Sequence, residues 1–215
     1  MKKITIVIIT ILFFYLPLCI KAQSGQLSST DRNSVGGGCE GCDLMFVEIP
    51  STIKSDVMIV NPAEPGEKLE ISGIIYKSDG KTPAPNVILY VYQTAKSGLY
   101  EPGPNQTGGV RRHGRIRGWV KTNQKGEFKF LTIRPGNYPD GENAAHIHPT
   151  IKEPDKNEYH IDEFVFDDDK FVDADFRSGQ QLRGGSGILH LKKENGKWIG
   201  RRDIVLGLNI PNYPR

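Results

Sequence analysis

Cysteine is scarce in this sequence, with three residues in 215. A disulfide-stapled scaffold needs four or more paired cysteines, and a zinc site built on cysteine needs a second pair at ligand spacing. Neither pattern is present. Cys19 lies in the N-terminal apolar segment, which leaves only Cys39-Glu40-Gly41-Cys42. We read Cys39 and Cys42 as a short disulfide. The preceding Gly36-Gly37-Gly38 does not offer the strand-then-helix setting of a thioredoxin-like redox motif.

An excess of one charge sign is also missing once the first residues are set aside. Met1-Lys2-Lys3, an apolar stretch from Ile4 to Ile20 and Lys21-Ala22-Gln23 read as a signal peptide over residues 1–22. The competing reading is a transmembrane anchor, since the run approaches the ~20 residues that span a bilayer. Small Ala22 and the lack of a following stop-transfer cluster favour cleavage, and bulky Leu18 disfavours a lipid anchor on Cys19. Removing Lys2, Lys3 and Lys21 from the 28 basic residues leaves 25, equal to the 25 acidic ones. A global basic footprint for nucleic acid is therefore absent. Arg111, Arg112, Arg115 and Arg117 form only a local run, read as a solvated face or a ligand contact. We expect an exported protein with no nucleic-acid partner and no membrane span after leader removal.

No internal repeat is visible, and no stretch keeps apolar residues at helical spacing for ten or so residues. What recurs is strand signal. Leu69, Ile71, Gly73 and Ile75 alternate with Glu70, Ser72, Ile74 and Tyr76, and Lys77-Ser78-Asp79-Gly80 ends the run as a turn. Val87–Gln93 is β-branched and aromatic. Trp119–Thr122 and Phe128–Leu131, joined by Asn123-Gln124-Lys125-Gly126, predict a hairpin. Further strands are expected at Ala145–Ile151, Glu163–Phe166, Gly187–Leu191 and Trp198–Leu208. Many short strands punctuated by Gly, Pro, Asp and Asn predict an all-β antiparallel sandwich with long site-lining loops. Its expected extent is 66–215, after a flexible or extended segment over 23–65. Gly98–Arg115 is too long for a simple hairpin loop and is expected to line a site.

The strongest chemical signal is His146-Ile147-His148, because residues two apart on a strand point the same way and two imidazoles then converge. Around it, in order, stand Gly73, Asp79-Gly80, Pro83, Pro85, Gly98-Leu99-Tyr100, Arg117-Gly118, Thr122, Gly126, Phe128–Ile133, Pro135-Gly136-Asn137-Tyr138-Pro139 and Ala145-His146-Ile147-His148. Taken together over about Gly66 to Asp169, these residues resemble the intradiol ring-cleavage dioxygenases, non-haem iron enzymes that open catechols between the two hydroxyls.

The resemblance implies one Fe(III) per chain, held by Tyr100, Tyr138, His146 and His148. It also implies a small catechol-type substrate, O2 as co-substrate, a muconate-type product, and Tyr138 as the catalytic base. Phenolate is a hard anionic donor suited to Fe(III), and imidazole suits iron as well. Where the family commonly carries an arginine, three residues before the first histidine, this chain has Asn143. Fifteen residues after the second, where a glutamine is common, it has Glu163. Both are candidate substrate-binding residues, with Arg134, Arg111 or Arg112 as cations able to reach in from loops. The short stretch from Pro139 to His146, the leader, and the lack of an N-terminal helical dimerisation region resemble the secreted branch of the family. No pattern specifies an oligomeric state.

Asp167-Asp168-Asp169 is read as a solvated turn rather than a Ca(II) site. His113, His160 and His190 are read as surface or packing residues, with His113 the one to watch behind the ligands. A non-catalytic prealbumin-like or carboxypeptidase-regulatory-like binding module shares the pattern from Gly73 to Pro85 and is the rival expectation. An iron-binding family member without turnover is the other.

Overall fold

The computed structural model describes residues 34–214; the expected leader and residues 23–33 lie outside the described residues. The strands are β1 (Asp56–Met58), β2 (Lys68–Tyr76), β3 (Ile88–Gln93), β4 (Arg117–Lys121), β5 (Glu127–Ile133) and β6 (His146–Lys152). They continue as β7 (Tyr159–His160), β8 (Phe164–Phe166), β9 (Ile188–Leu189), β10 (Lys192–Glu194), β11 (Lys197–Arg201) and β12 (Ile204–Val205). One short helix, α1 (Ala174–Ser178), and 3-10 turns at Cys42–Phe46 and Gly108–His113 complete the described residues. No described helix is long and apolar enough to cross a membrane.

The strands form two six-stranded sheets, in the orders β1-β5-β2-β11-β10, with β12 also on β2, and β4-β3-β6-β8-β9, with β7 also on β6. The chain is an all-β sandwich, as its strand pattern predicts. β2 buries every second residue. Leu69, Ile71 and Ile75 pack with Phe128 and Phe130 of β5 against Leu89, Val91, Ile147, Ile151, Phe164 and Phe166 of the other sheet. Each such side chain contributes about 1.5–3 kcal/mol on leaving water.

Two expectations are corrected here. The ladders β2–β5, β3–β4 and β3–β6 are antiparallel, but β1–β5, β11–β2, β12–β2 and β8–β9 run parallel. The segment Asn123–Gly126 does turn, with the Gly126 amide donating to the Asn123 carbonyl at 2.9 Å, yet β4 and β5 are not a hairpin. β4 pairs with β3 and β5 pairs with β2 and β1, so the turn carries the chain from one sheet to the other. Val120, Phe128 and Phe130 share the core between the sheets, and burying all three there outweighs the local pairing a tight hairpin would give.

The segment before residue 66 packs on the sandwich. β1 pairs with β5, Met45 is fully buried, and the Met45 carbonyl accepts a 2.6 Å hydrogen bond from Trp119 Nε1. Cys39 and Cys42 are joined by a disulfide. This segment covers part of the outer face of the second sheet, the face that carries the histidines.

Candidate metal centre

On β6 the burial of Ile147 in the core turns His146 and His148 to the opposite face. β3 runs antiparallel beside β6 and sets Tyr92 directly opposite His148. Their rings stack with centroids 4.5 Å apart and 16° between planes. The other face of Tyr92 stacks on His113 at 3.6 Å and 3°, and His113 Nδ1 shares a 2.8 Å hydrogen bond with the Tyr90 hydroxyl. Burial, followed by the charges of His148 and Arg117, pushes His113 down to about 4, which leaves it a neutral packing group at neutral pH. Burial likewise pushes Tyr90 up to about 12.

Tyr100 and Tyr138 arrive on two loops, one after β3 and one after β5, whose backbones touch. Gly98 has φ +77°, and a side chain there would run into the Asn137 carbonyl. A Cβ on Gly136 would meet the amide nitrogen of Gly98 at 2.8 Å. Glycine at both positions lets the backbones close, the first also supplying the left-handed conformation. The Gly136 amide donates to the Ala95 carbonyl at 3.1 Å, and Thr94 Oγ1 donates to the Gly136 carbonyl at 2.8 Å.

Tyr100, Tyr138, His146 and His148 converge. Their donor atoms form a closed ring: Tyr100 Oη to Tyr138 Oη is 2.8 Å, Tyr138 Oη to His146 Nε2 is 3.1 Å, His146 Nε2 to His148 Nε2 is 3.0 Å, and His148 Nε2 to Tyr100 Oη is 2.8 Å. A point shared by four atoms so spaced lies about 2 Å from each, an ordinary metal–oxygen or metal–nitrogen bond length. Among the described residues no three His, Cys, Asp or Glu side chains gather around one point. Here the two phenols complete the set.

The protonation of the ring fits a cation. His146 Nδ1 lies 2.7 Å from the Ala144 carbonyl, which can only accept, so Nδ1 carries the proton and Nε2 presents a lone pair. His148 Nδ1 faces the Glu163 carboxylate at 3.6 Å, which favours the same tautomer. Two lone pairs thus face each other across 3.0 Å, and the only protons in the ring are those of two phenols. Burial, then the hydrogen bond to Tyr138, pushes the Tyr100 phenol up, so a phenolate there needs a neighbouring cation. Burial, then the charge of His148, pushes His146 down. Two imidazoles that present lone pairs and two phenol oxygens suit a hard trivalent ion such as Fe(III).

The other candidates separate. Asn143 is exposed and lines a cavity of about 230 Å³ with Tyr138, His146, Glu163 and Phe176. Glu163 stands behind His148, whose imidazole holds the carboxyl down at about 2 against burial. Arg134 does not reach the ring. It forms a two-pronged pair with Asp168, at 2.8 and 2.6 Å, and stacks over Phe166, which satisfies its charge away from the histidines. Arg112 pairs with Glu40 in solvent, and Arg111 donates to the Gln106 carbonyl.

The aspartate run is more than a solvated turn. Asp168 holds Arg134 and Asp167 holds His190. Asp169 accepts from Asn137 Nδ2 at 2.8 Å and from the Ala145 amide at 2.9 Å, bracing the residues just before Tyr138 and His146. Sequence reasoning passed over Tyr92 and read Asp169 only as part of a solvated turn. The two-residue spacing of Tyr90 and Tyr92 was the available signal for the first, and register decides the rest. A larger cavity, about 440 Å³, lies on the first sheet between Met58 and Ile199, far from this chemistry.

Residues 44–185, more than half of the chain, match the family model described as Dioxygenase, the C-terminal domain of intradiol dioxygenases. The chain belongs to the intradiol dioxygenase family. Among solved structures it is similar to the dioxygenase domain of a dioxygenase carbohydrate-binding protein fusion from Streptomyces sp. SirexAA-E, at 22% identity and TM-score 0.55, covering 74% of this chain and 91% of that one. It is similar to an intradiol ring-cleavage dioxygenase from Tetranychus urticae at 21% and 0.55, covering 79% and 91%. To catechol 1,2-dioxygenase from Acinetobacter sp. ADP1 the figures are 18% and 0.55, with 74% of this chain covering 60% of that one. At these identities the likenesses show a shared intradiol dioxygenase fold.

Proposed function

We propose that this chain is an exported ferric dioxygenase that opens a catechol-type ring between its two hydroxyls. The observation that carries it is the closed ring of Tyr100, Tyr138, His146 and His148, with two imidazole lone pairs and two phenol oxygens turned to one point. A prealbumin-like binding module has no use for such a ring. Export is supported by the leader pattern at residues 1–22 and by the Cys39–Cys42 disulfide, which persists in oxidising compartments.

Tyr100, Tyr138, His146 and His148 would hold the iron. When bound, the ferric ion supplies Lewis acidity and a template for catechol and O2. The protein's own part is to place and to move protons. The Ala144 carbonyl and Glu163 fix the tautomers of the two histidines, so neither donates a proton into the ring. Tyr138 opens onto the cavity shared with Asn143 and His146 and accepts the proton of a catechol hydroxyl at its Oη. Tyr100 is packed against Tyr92 at 6.0 Å between centroids and stays in place. Overall, catechol and O2 combine, the bond between the hydroxyl-bearing carbons breaks, and each of those carbons ends as a carboxyl carbon.

The test is oxygen uptake by iron-loaded protein with catechol. One O2 consumed per catechol, with a cis,cis-muconate-type product containing both atoms of O2, is the expected result. No uptake by protein carrying one iron per chain would contradict it.

A further inference from the structure

The cavities beside the ring are lined by carboxylate and by no lysine or arginine. The one on the Tyr138 side is about 230 Å³ and has Glu163 as its sole acidic lining residue. The one on the His148 side is about 170 Å³ and is walled by the disulfide turn, Tyr92, His160 and again Glu163. Glu40 also borders it and pairs with Arg112 at 3.1 Å in solvent. His160 is pushed down by burial and by Arg183, so it stands there as a neutral imidazole.

No cation lines either cavity; Arg202 lies buried near Glu163 and donates to the Asp162, Arg183 and Gly185 carbonyls, and the other arginines are paired elsewhere. Arg134 is held by Asp168, Arg115 by Glu64 and Glu101, and Arg117 by Glu48 and the Val47 carbonyl. Glu163 lies 3.6 Å from His148 Nδ1, and its side chain is half exposed. Its carboxylate lines both cavities, so whatever enters either one meets it beside the ring. A fixed charge at the rim of a low-dielectric pocket discriminates ligands by the sign of their substituents.

We infer that Glu163 sets substrate class: the site takes catechols whose ring substituent is cationic or neutral and disfavours those that carry a carboxylate. This rests on the dioxygenase reading above and narrows it. Glu163 acts by charge at the substituent, while the ring of four donors handles the hydroxyls.

The test compares 4-(2-aminoethyl)catechol, 4-methylcatechol and 3,4-dihydroxybenzoate with the iron-loaded full chain and with Glu163→Gln. Anaerobic binding is measured by calorimetry and turnover by oxygen uptake. The expected order in both is amine, then methyl, then carboxylate, with successive ratios on the order of tenfold. Because Glu163→Gln also loosens His148, only the ratios between substrates are read, and they should shrink at least threefold. A carboxylated catechol bound as well as the methyl compound, or an unchanged spread in Glu163→Gln, overturns the inference. If the catechols bind in the expected order and none is cleaved, the inference stands and the dioxygenase reading falls. If none binds, the inference falls with it.

Discussion

The Asp169 carboxylate accepts a 2.9 Å hydrogen bond from the backbone amide of Ala145, the residue immediately before His146. The same oxygen accepts from Asn137, immediately before Tyr138, at 2.8 Å. One side chain thus ties together the two ends of the β5–β6 connection that carry candidate ligands Tyr138 and His146. Asp169→Ala is expected to cost about 1–3 kcal/mol of stability by orphaning these two donors and the Phe171 amide, which donates to the other carboxylate oxygen at 3.0 Å. It should also weaken iron binding about 10–100-fold. Urea denaturation and iron competition against a chelator check both.

Gly98 decides whether the Tyr100 and Tyr138 loops close. Alanine there takes a left-handed conformation that costs about 1–2 kcal/mol, and its methyl meets the Asn137 carbonyl. Gly98→Ala is expected to lose stoichiometric iron while keeping the β-sheet circular dichroism of the sandwich. Full iron retention would show that the two loops close by some other contact.

Tyr92 fills the space between His113 and His148, and its ring does this rather than its hydroxyl. Tyr92→Phe should keep iron affinity within about threefold, since the stack survives. Tyr92→Leu removes both stacked faces and should cost about 1–3 kcal/mol in urea denaturation.

Acid should destabilise the fold through His113. Its folded value of about 4 lies below its ordinary 6.5, so the unfolded chain binds its proton more readily. Stability from this group is complete above pH 6.5 and is lost as pH falls from 6.5 towards 4. Glu163, held at about 2 against an ordinary 4.5, loses its share in a lower window, from 4.5 towards 2. His113→Gln should flatten the upper part of the stability–pH curve of metal-free protein and leave the part below pH 4 unchanged.

The sandwich and the four ring donors were legible because alternation and the two-residue spacing of His146 and His148 are local signals. Tyr100 and Tyr138 carry no such signal alone, and the family resemblance singled them out. What could not be read was anything set by register or by choice of sheet. The 123–126 turn has hairpin composition, but core burial sends β4 and β5 to different sheets. Tyr92 meets His148 only because β3 pairs with β6 in one register. Arg134 lay near the site in sequence, and Asp168 draws it away. The aspartate run looked like a solvated turn because its partners, Asn137 and Ala145, lie 32 and 24 residues distant in the chain.

The central claim is that two phenols and two imidazoles together hold one ferric ion, and the visible spectrum of the iron-loaded chain tests it most directly. Phenolate bound to Fe(III) gives a charge-transfer band and a burgundy solution. We expect that colour at one iron per chain, a shifted and weakened band in Tyr138→Phe, and no band in His146→Ala. A colourless protein carrying one ferric ion per chain would contradict the assignment of Tyr100 and Tyr138 as ligands.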